Sequence, residues 1–194
     1  MDTWILGITG ASGSRIALRI MEYLCAQGIR LHVVASDSGR AVFRQETGIA
    51  LEAFLTALGS GGLYLHDNRN LSASIASGSA PAKGMFVVPC SMATAGRLAA
   101  GAGDSLLCRA ADVCMKEGRR LVLCPRESPL SEIHLRNLLT LRRAGCVICP
   151  PMPAFYSRFS TMEEMVDGLA GRVLAAGGID NDLYKRWEGK ECPT

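Results

Sequence analysis

The amino-acid sequence predicts an α/β fold with an open, mostly parallel sheet. Three observations carry that prediction. Short apolar runs of strand type recur at residues 3–6, 30–35, 85–90, 121–124 and 146–149. Segments with apolar residues at helical spacing lie between them. Several of the runs end in clusters of small residues, the usual ligand-facing end of a strand in such sheets.

The first run, Thr3-Trp4-Ile5-Leu6, leads into Gly7-Ile8-Thr9-Gly10-Ala11-Ser12-Gly13 and then a helix pattern marked by Ile16, Ala17, Ile20, Met21 and Leu24. Strand, glycine loop and helix in that order invite a phosphate. The first helical turn leaves N–H groups free, and the helix dipole favours an anion there. Glycine lets backbone approach without a Cβ in the way, and Ser12 adds a hydroxyl that can cap the helix or bind a ligand. The loop is neither G-x-x-x-x-G-K-[ST] nor G-x-G-x-x-G. Thr9-Gly10-Ala11-Ser12-Gly13 is similar to the opening of short-chain dehydrogenases, but none of Tyr23, Tyr64, Tyr156 or Tyr184 has a lysine four residues later.

The second strand, 30–35, ends at Ser36-Asp37-Ser38-Gly39, read as a loop that sets Ser36 beside the first one. A helix over about 40–46 follows, then an irregular stretch over 50–58, a surface turn at 59–62 and a serine-rich connection over 66–79 with a short helical piece. Met85-Phe86-Val87-Val88-Pro89-Cys90 reads as a buried strand, ending in Ser91-Met92-Ala93-Thr94-Ala95-Gly96. Three strand ends bearing Ser or Thr would line a single crevice.

Residues 104–117 form an amphipathic helix pattern. Arg109, Asp112 and Lys116 share its polar face, where residue spacing alone favours an Asp112–Lys116 pair in solvent. Leu121-Val122-Leu123-Cys124 is a strand leading into Pro125-Arg126-Glu127-Ser128-Pro129. Two charges between prolines at a strand terminus point to a ligand rather than to a surface ion pair. A helix over 131–144 and a strand over 146–149 precede Pro150-Pro151-Met152-Pro153-Ala154-Phe155-Tyr156, a stiff wall that cannot continue a central strand. The last helix, 162–176, turns Met165, Leu169, Val173 and Leu174 inward and Arg172 outward. The tail from about 177 carries Leu183, Tyr184 and Trp187 and reads as docking on the core or on a neighbouring subunit.

With 194 residues, 1–194 is expected to be one domain. Hydrophobic residues make up 48% and charged residues 20%, ordinary for a globular α/β chain, and a net charge of +3 from scattered basic residues leaves no nucleic-acid footprint. No run approaches membrane-spanning length and no signal sequence is evident, so a cytoplasmic location without membrane attachment is expected. The eight cysteines lie mostly in apolar segments and read as free and buried. Cys146-Val147-Ile148-Cys149 has C-x-x-C spacing, but in a strand its two thiols face opposite ways. His32, His66 and His134 form no spaced ligand set, and no metal site is expected.

Taken together, the motifs resemble the flavin prenyltransferase family of the UbiX type over nearly the whole chain. They are Gly7-Ile8-Thr9-Gly10-Ala11-Ser12-Gly13, Glu46-Thr47, Pro89-Cys90-Ser91-Met92-Ala93-Thr94, Arg109-Ala110-Ala111-Asp112-Val113, Lys116-Glu117, the segment 121–129, and the segment 150–156. The resemblance implies a Rossmann-like three-layer αβα flavoprotein, usually a dodecamer, with FMN at subunit contacts. It implies transfer of a dimethylallyl group from dimethylallyl phosphate to N5 and C6 of reduced FMN, giving the prenylated FMN used by a UbiD-type decarboxylase. It makes Gly10, Ala11, Ser12, Ser36, Ser91, Met92, Ala93, Thr94 and Arg126 the FMN contacts. Lys116, Tyr156 and Arg172 become the clamp on the donor phosphate, with Arg109 near it, and Glu127, Glu46 and Ser12 the proton-transfer set.

Chemistry agrees with that assignment. Breaking an allylic C–O bond leaves charge on phosphate oxygens, which Lys, Arg and Tyr can stabilise without a metal, while a carboxyl group such as Glu127 passes protons. Two rivals stand beside it. An FMN-dependent cysteine decarboxylase of related fold would carry Pro-x-Met-Asn-x-x-Met-Trp, whose Asn and Trp are absent from 150–155. A non-catalytic flavin-binding subunit of a decarboxylase would not need Lys116, Glu127, Tyr156 and Arg172 together.

Overall fold

The computed structural model describes residues 2–59, 61–184 and 186–187. Ser60 of the expected turn, and the end of the tail with Cys192, lie outside them.

Six parallel strands form one sheet: Thr3–Ile8 (β1), Arg30–Ala35 (β2), Leu63–His66 (β3), Gly84–Cys90 (β4), Arg120–Pro125 (β5) and Val147–Ile148 (β6), in the order β3-β2-β1-β4-β5-β6. β1 and β4 are buried along their whole length, as strands covered on both faces must be. One face packs helices Ser14–Ala26 (α1), Asp37–Thr47 (α2), Leu51–Leu58 (α3) and, from the end of the chain, Met162–Ala176 (α7), through Ile16, Ile20, Phe43, Leu55, Leu169 and Val173. The other face packs Met92–Ala99 (α4), Leu106–Lys116 (α5) and Glu132–Arg143 (α6), through Leu98, Leu107, Ala110, Cys114 and Leu141. Strand order reverses between β1 and β4, so their carboxyl ends open a crevice there.

The elements correct several expectations. Residues 51–58 are a helix rather than irregular: Leu51, Phe54, Leu55 and Leu58 sit at i, i+3, i+4 and i+7 and cover Phe43. Residues 63–66 are an edge strand. Asp37, Ser38 and Gly39 are the first turn of α2, with Ser36 as its N-cap, rather than a loop. The Asp112–Lys116 pair does not form: Asp112 accepts from Arg109 at 3.0 Å and Lys116 pairs with Glu117 at 2.8 Å.

Most of the described thiols are buried as expected, while Cys25 and Cys149 are half-buried. Cys90, Cys108, Cys114, Cys124 and Cys146 are buried, and Cys146 and Cys149 join opposite faces of the sheet. His32 Nδ1 lies 2.8 Å from His66 Nε2 across neighbouring strands, while His134 completes the capping box of α6. Among the described residues no three metal-ligating side chains gather, and no helix is long and apolar enough to cross a membrane.

Candidate functional site

Thr9 fastens the two strand ends at the switch point. Its hydroxyl donates to Pro89 O at 2.8 Å and accepts from Ser91 N at 2.7 Å, and its own N–H donates to Pro89 O at 3.2 Å. Ser91 then caps α4, accepting from Thr94 N, with the Thr94 hydroxyl 3.0 Å away. Ser36 caps α2 in the same way, accepting from Gly39 N at 3.0 Å.

The amino end of α1 holds a protein anion in the place where sequence suggests a phosphate. Gly13 adopts φ 122°, open to glycine alone, and offers no side chain as a cap. Glu46 reaches over from α2, and its carboxylate accepts from Gly13 N at 3.0 Å and from Ser14 N at 2.7 Å. Burial pushes its pKa up, but hydrogen bonds from the Ser12 hydroxyl and from Gly13 and Ser14 N–H outweigh that and hold it below the usual carboxylate value. Glu46 is therefore ionised at neutral pH and in contact with Ser12.

The sign of that shift fixes a pH response. A depressed folded-state pKa contributes stability above the unfolded value near 4.5, lost as pH falls through the folded one. The melting-temperature gap between the parent chain and Glu46→Gln is expected to be full at about pH 6 and to shrink below about pH 4. A gap unchanged across that range would reject the charged role.

Three clefts line the carboxyl edge instead of one crevice. A polar cleft of about 440 Å3 is bounded by Thr9, Ser36, Ser38, Thr94, Arg97 and Ser105. A more apolar one of about 550 Å3 lies among Ser12, Glu46, Arg126, Pro151, Pro153 and Met165. The third, about 430 Å3, holds Tyr156, Arg158, Arg172 and Tyr184. Leu169 borders both of the last two.

The predicted residues divide among these places. Ser36 and Thr94 face the polar cleft, whereas Met92 is buried in the core on the α4 side of the sheet and Ala93 is exposed. Gly10 packs so tightly on the start of α2 that a Cβ there would sit 2.5 Å from Ser38 Oγ, and Ala11 continues the turn, accepted by Thr9 O. Arg126 joins Ser12 and Glu46, whereas Glu127 is exposed beside it, its Oε1 accepting from Ser128 N at 3.1 Å. Tyr156 and Arg172 share the third cleft.

Lys116 and Arg109 are not brought there. Lys116 ends α5, four residues before β5 begins, and packs with Glu117 against Gly78, just ahead of β4. That is the amino edge of the sheet, about 20 Å from the carboxyl edge for a six-residue strand. Arg109 donates to Ala76 O at 3.2 Å and pairs with Asp112.

The structure adds Thr9, Arg97 and Ser105 to the residues read from sequence, and gives the tail aromatics a place. Thr9 has no local signal beyond its place in a small-residue loop, Arg97 and Ser105 only gain meaning when α4 and α5 face the polar cleft, and the tail aromatics buttress the third cleft. Arg172 lies over the Tyr184 ring at 5.2 Å, and Trp187 meets Tyr156 edge-on at 5.1 Å. The apolar character of the tail was the signal for these last two.

A flavin mononucleotide fits this rim. Gly39 passes so close to β1 that a Cβ would lie 2.4 Å from Ile8 O, which lets the first turn of α2 with Ser36 and Ser38 sit against the end of β1 beside the polar cleft. Hydroxyls of Ser36, Ser38 and Thr94 with the Arg97 guanidinium suit a phosphate, although Arg97 also pairs with Asp104 at 3.6 Å. The apolar cleft beside Arg126 suits a ring system.

Comparison with known proteins agrees. Residues 1–174 match the model of the Flavoprotein family. Flavin prenyltransferase UbiX of Methanothermobacter thermautotrophicus is 43% identical over 190 residues, covering 96% of each chain. The crystal structure of AnUbiX (PadA1) in complex with FMN and dimethylallyl pyrophosphate superposes with a TM-score of 0.92 at 40% identity, covering 98% of this chain and 99% of that one. A dodecameric FMN-dependent UbiX-like decarboxylase from Escherichia coli O157:H7 gives 0.90 at 39% identity, covering 96% and 100%. The chain belongs to the UbiX flavin prenyltransferase family.

Proposed function

We propose that this chain joins the dimethylallyl group of dimethylallyl phosphate to N5 and C6 of reduced FMN, making prenylated FMN for a UbiD-type decarboxylase. The observation that carries this reading is the adjacency of the apolar cleft at Ser12, Glu46 and Arg126 to the cationic, aromatic cleft at Tyr156 and Arg172.

Reduced FMN, when bound, supplies the electron-rich ring positions that accept the five-carbon group. The chain does the rest. Ser36, Ser38 and Thr94 orient the flavin phosphate, and Pro151, Pro153, Met162 and Met165 exclude water from the ring side. Arg172, steadied by Tyr184, and Tyr156, steadied by Trp187, bind the donor phosphate and stabilise the charge its oxygens gain as the C–O bond breaks. Glu46, ionised, takes a proton by way of Ser12, and Glu127 hands one to the departing phosphate.

Lys116 and Arg109 join this cradle from a neighbouring subunit. The place of Lys116 at the far edge of the sheet supports that reading, as does the apolar surface of α6, where Ile133, Leu135 and Leu139 are each at least half exposed. A dodecamer like that of the Escherichia coli relative is the proposed assembly.

Anaerobic incubation with reduced FMN and dimethylallyl phosphate, or its diphosphate, is expected to raise the flavin mass by one prenyl unit. Flavin recovered unmodified with both donors rejects the activity.

A further inference from the structure

In the ladder between β5 and β6, Val122 stands opposite Val147 and Leu123 opposite Ile148, so the next pair in register is Cys124 and Cys149. Cys149 N donates to Leu123 O at 2.8 Å. The bond that would continue the ladder cannot form, because residue 125 is proline and has no N–H. Residues opposed on neighbouring strands have Cα atoms about 4.8 Å apart, inside the span of about 4.4–6.8 Å that a disulfide bridges. Both thiols lie on the same face: Cys124 is fully buried in the core beside Val122, and half-buried Cys149 packs against that core. The C-x-x-C partner, Cys146, belongs to the opposite face.

The two thiols are neighbours on one face and are unequal. The Cys124 S–H donates to the Cys149 sulfur, and although burial opposes it, this bond with the nearby positive charge of Arg172 lowers the Cys149 thiol to about 7. Burial holds Cys124 well above the usual thiol value. At neutrality Cys149 is therefore the readier of the two to ionise. That is the division of labour of an attacking and a resolving thiol.

We propose that Cys124 and Cys149 form a reactive dithiol that takes hydroperoxides, with Cys149 attacking, and closes to a cross-strand disulfide. The Cys149 thiolate attacks the distal peroxide oxygen, the O–O bond breaks, and the departing alkoxide or hydroxide takes a proton, leaving Cys149 as a sulfenic acid. The Cys124 sulfur then displaces that hydroxyl, which leaves as water with the Cys124 proton. Two electrons pass from the thiol pair to one peroxide. Cys149 adjoins Pro150 and the wall of the flavin cleft, so closure also removes an anion beside Arg172. That last consequence rests on the proposed phosphate role of Arg172; the chemistry of the pair does not.

The test uses the intact protein without flavin. Titration with hydrogen peroxide, alkylation of the remaining thiols and peptide mass mapping are expected to give a Cys124–Cys149 cross-link. The chain should lose two hydrogens, and dithiothreitol should restore them. Before oxidation, Cys149 is expected to be the first cysteine to react with iodoacetamide at about pH 7. In Cys124→Ser the reaction should stop at a Cys149 sulfenic acid that dimedone captures. Peroxide that oxidises methionines while leaving both thiols free, or that links other cysteines instead, overturns the proposal. Failure of the reduced protein to prenylate FMN, with the cross-link still forming on oxidation, would count against the assigned flavin chemistry and leave the dithiol standing.

Discussion

Lys116→Ala is expected to slow prenyl transfer about 100- to 1000-fold while leaving FMN affinity within about twofold of the parent. The ammonium acts on charge that appears only as phosphate leaves, so its removal affects the transition state more than the bound substrates. Its location makes the result more informative than an ordinary alanine substitution. In one chain Lys116 sits against Gly78 at the amino edge of the sheet, a strand's length from Ser12. If it serves a neighbour's site, Lys116→Ala and Arg172→Ala subunits are each inactive alone, yet co-expressed subunits regain about a quarter of the sites by random mixing. Pre-steady-state product counts on the mixed oligomer would measure this. Absence of any recovery, with mixing verified by mass, would reject the shared cradle.

Glu46→Gln is expected to cost about 100-fold or more in the rate of flavin alkylation and about 1–2 kcal/mol of stability. The stability loss arises because the carboxylate accepts from Gly13 N, Ser14 N and the Ser12 hydroxyl together. An amide has one acceptor oxygen, and its NH2 faces donors. The rate loss arises because the amide cannot take a proton. Single-turnover flavin mass analysis beside urea denaturation separates the two effects. A variant with weakened folding and unimpaired alkylation would confine Glu46 to capping α1.

How much of this was legible depended on the range of the signal. The strands at 30–35 and 85–90 and the last helix were read nearly to the residue, because continuous apolar runs and 3.6-residue periodicity are local. Leu51, Phe54, Leu55 and Leu58 carried the same helical signal, obscured by the glycines around them. β3 had too little: four residues at an edge, with Tyr64 and Leu65 partly exposed, leave no buried run to read. At the candidate site, the loops at Gly10 and Ser91 were visible as motifs. That Glu46 would take the amino end of α1 was not, since it depends on how α2 packs across it. The same applies to the thiols. Sequence offers Cys146 with Cys149, whereas strand register pairs Cys149 with Cys124, 25 positions upstream.

The hydroxyl of Thr9 joins the ends of two central strands using groups that belong entirely to the protein. A rim riveted in this way is already in its working shape when a nucleotide arrives, so little binding free energy is diverted to ordering loops. Selectivity at the phosphate end should accordingly follow fit to a stiff template, and near-mimics one atom too wide should be turned away rather than accommodated.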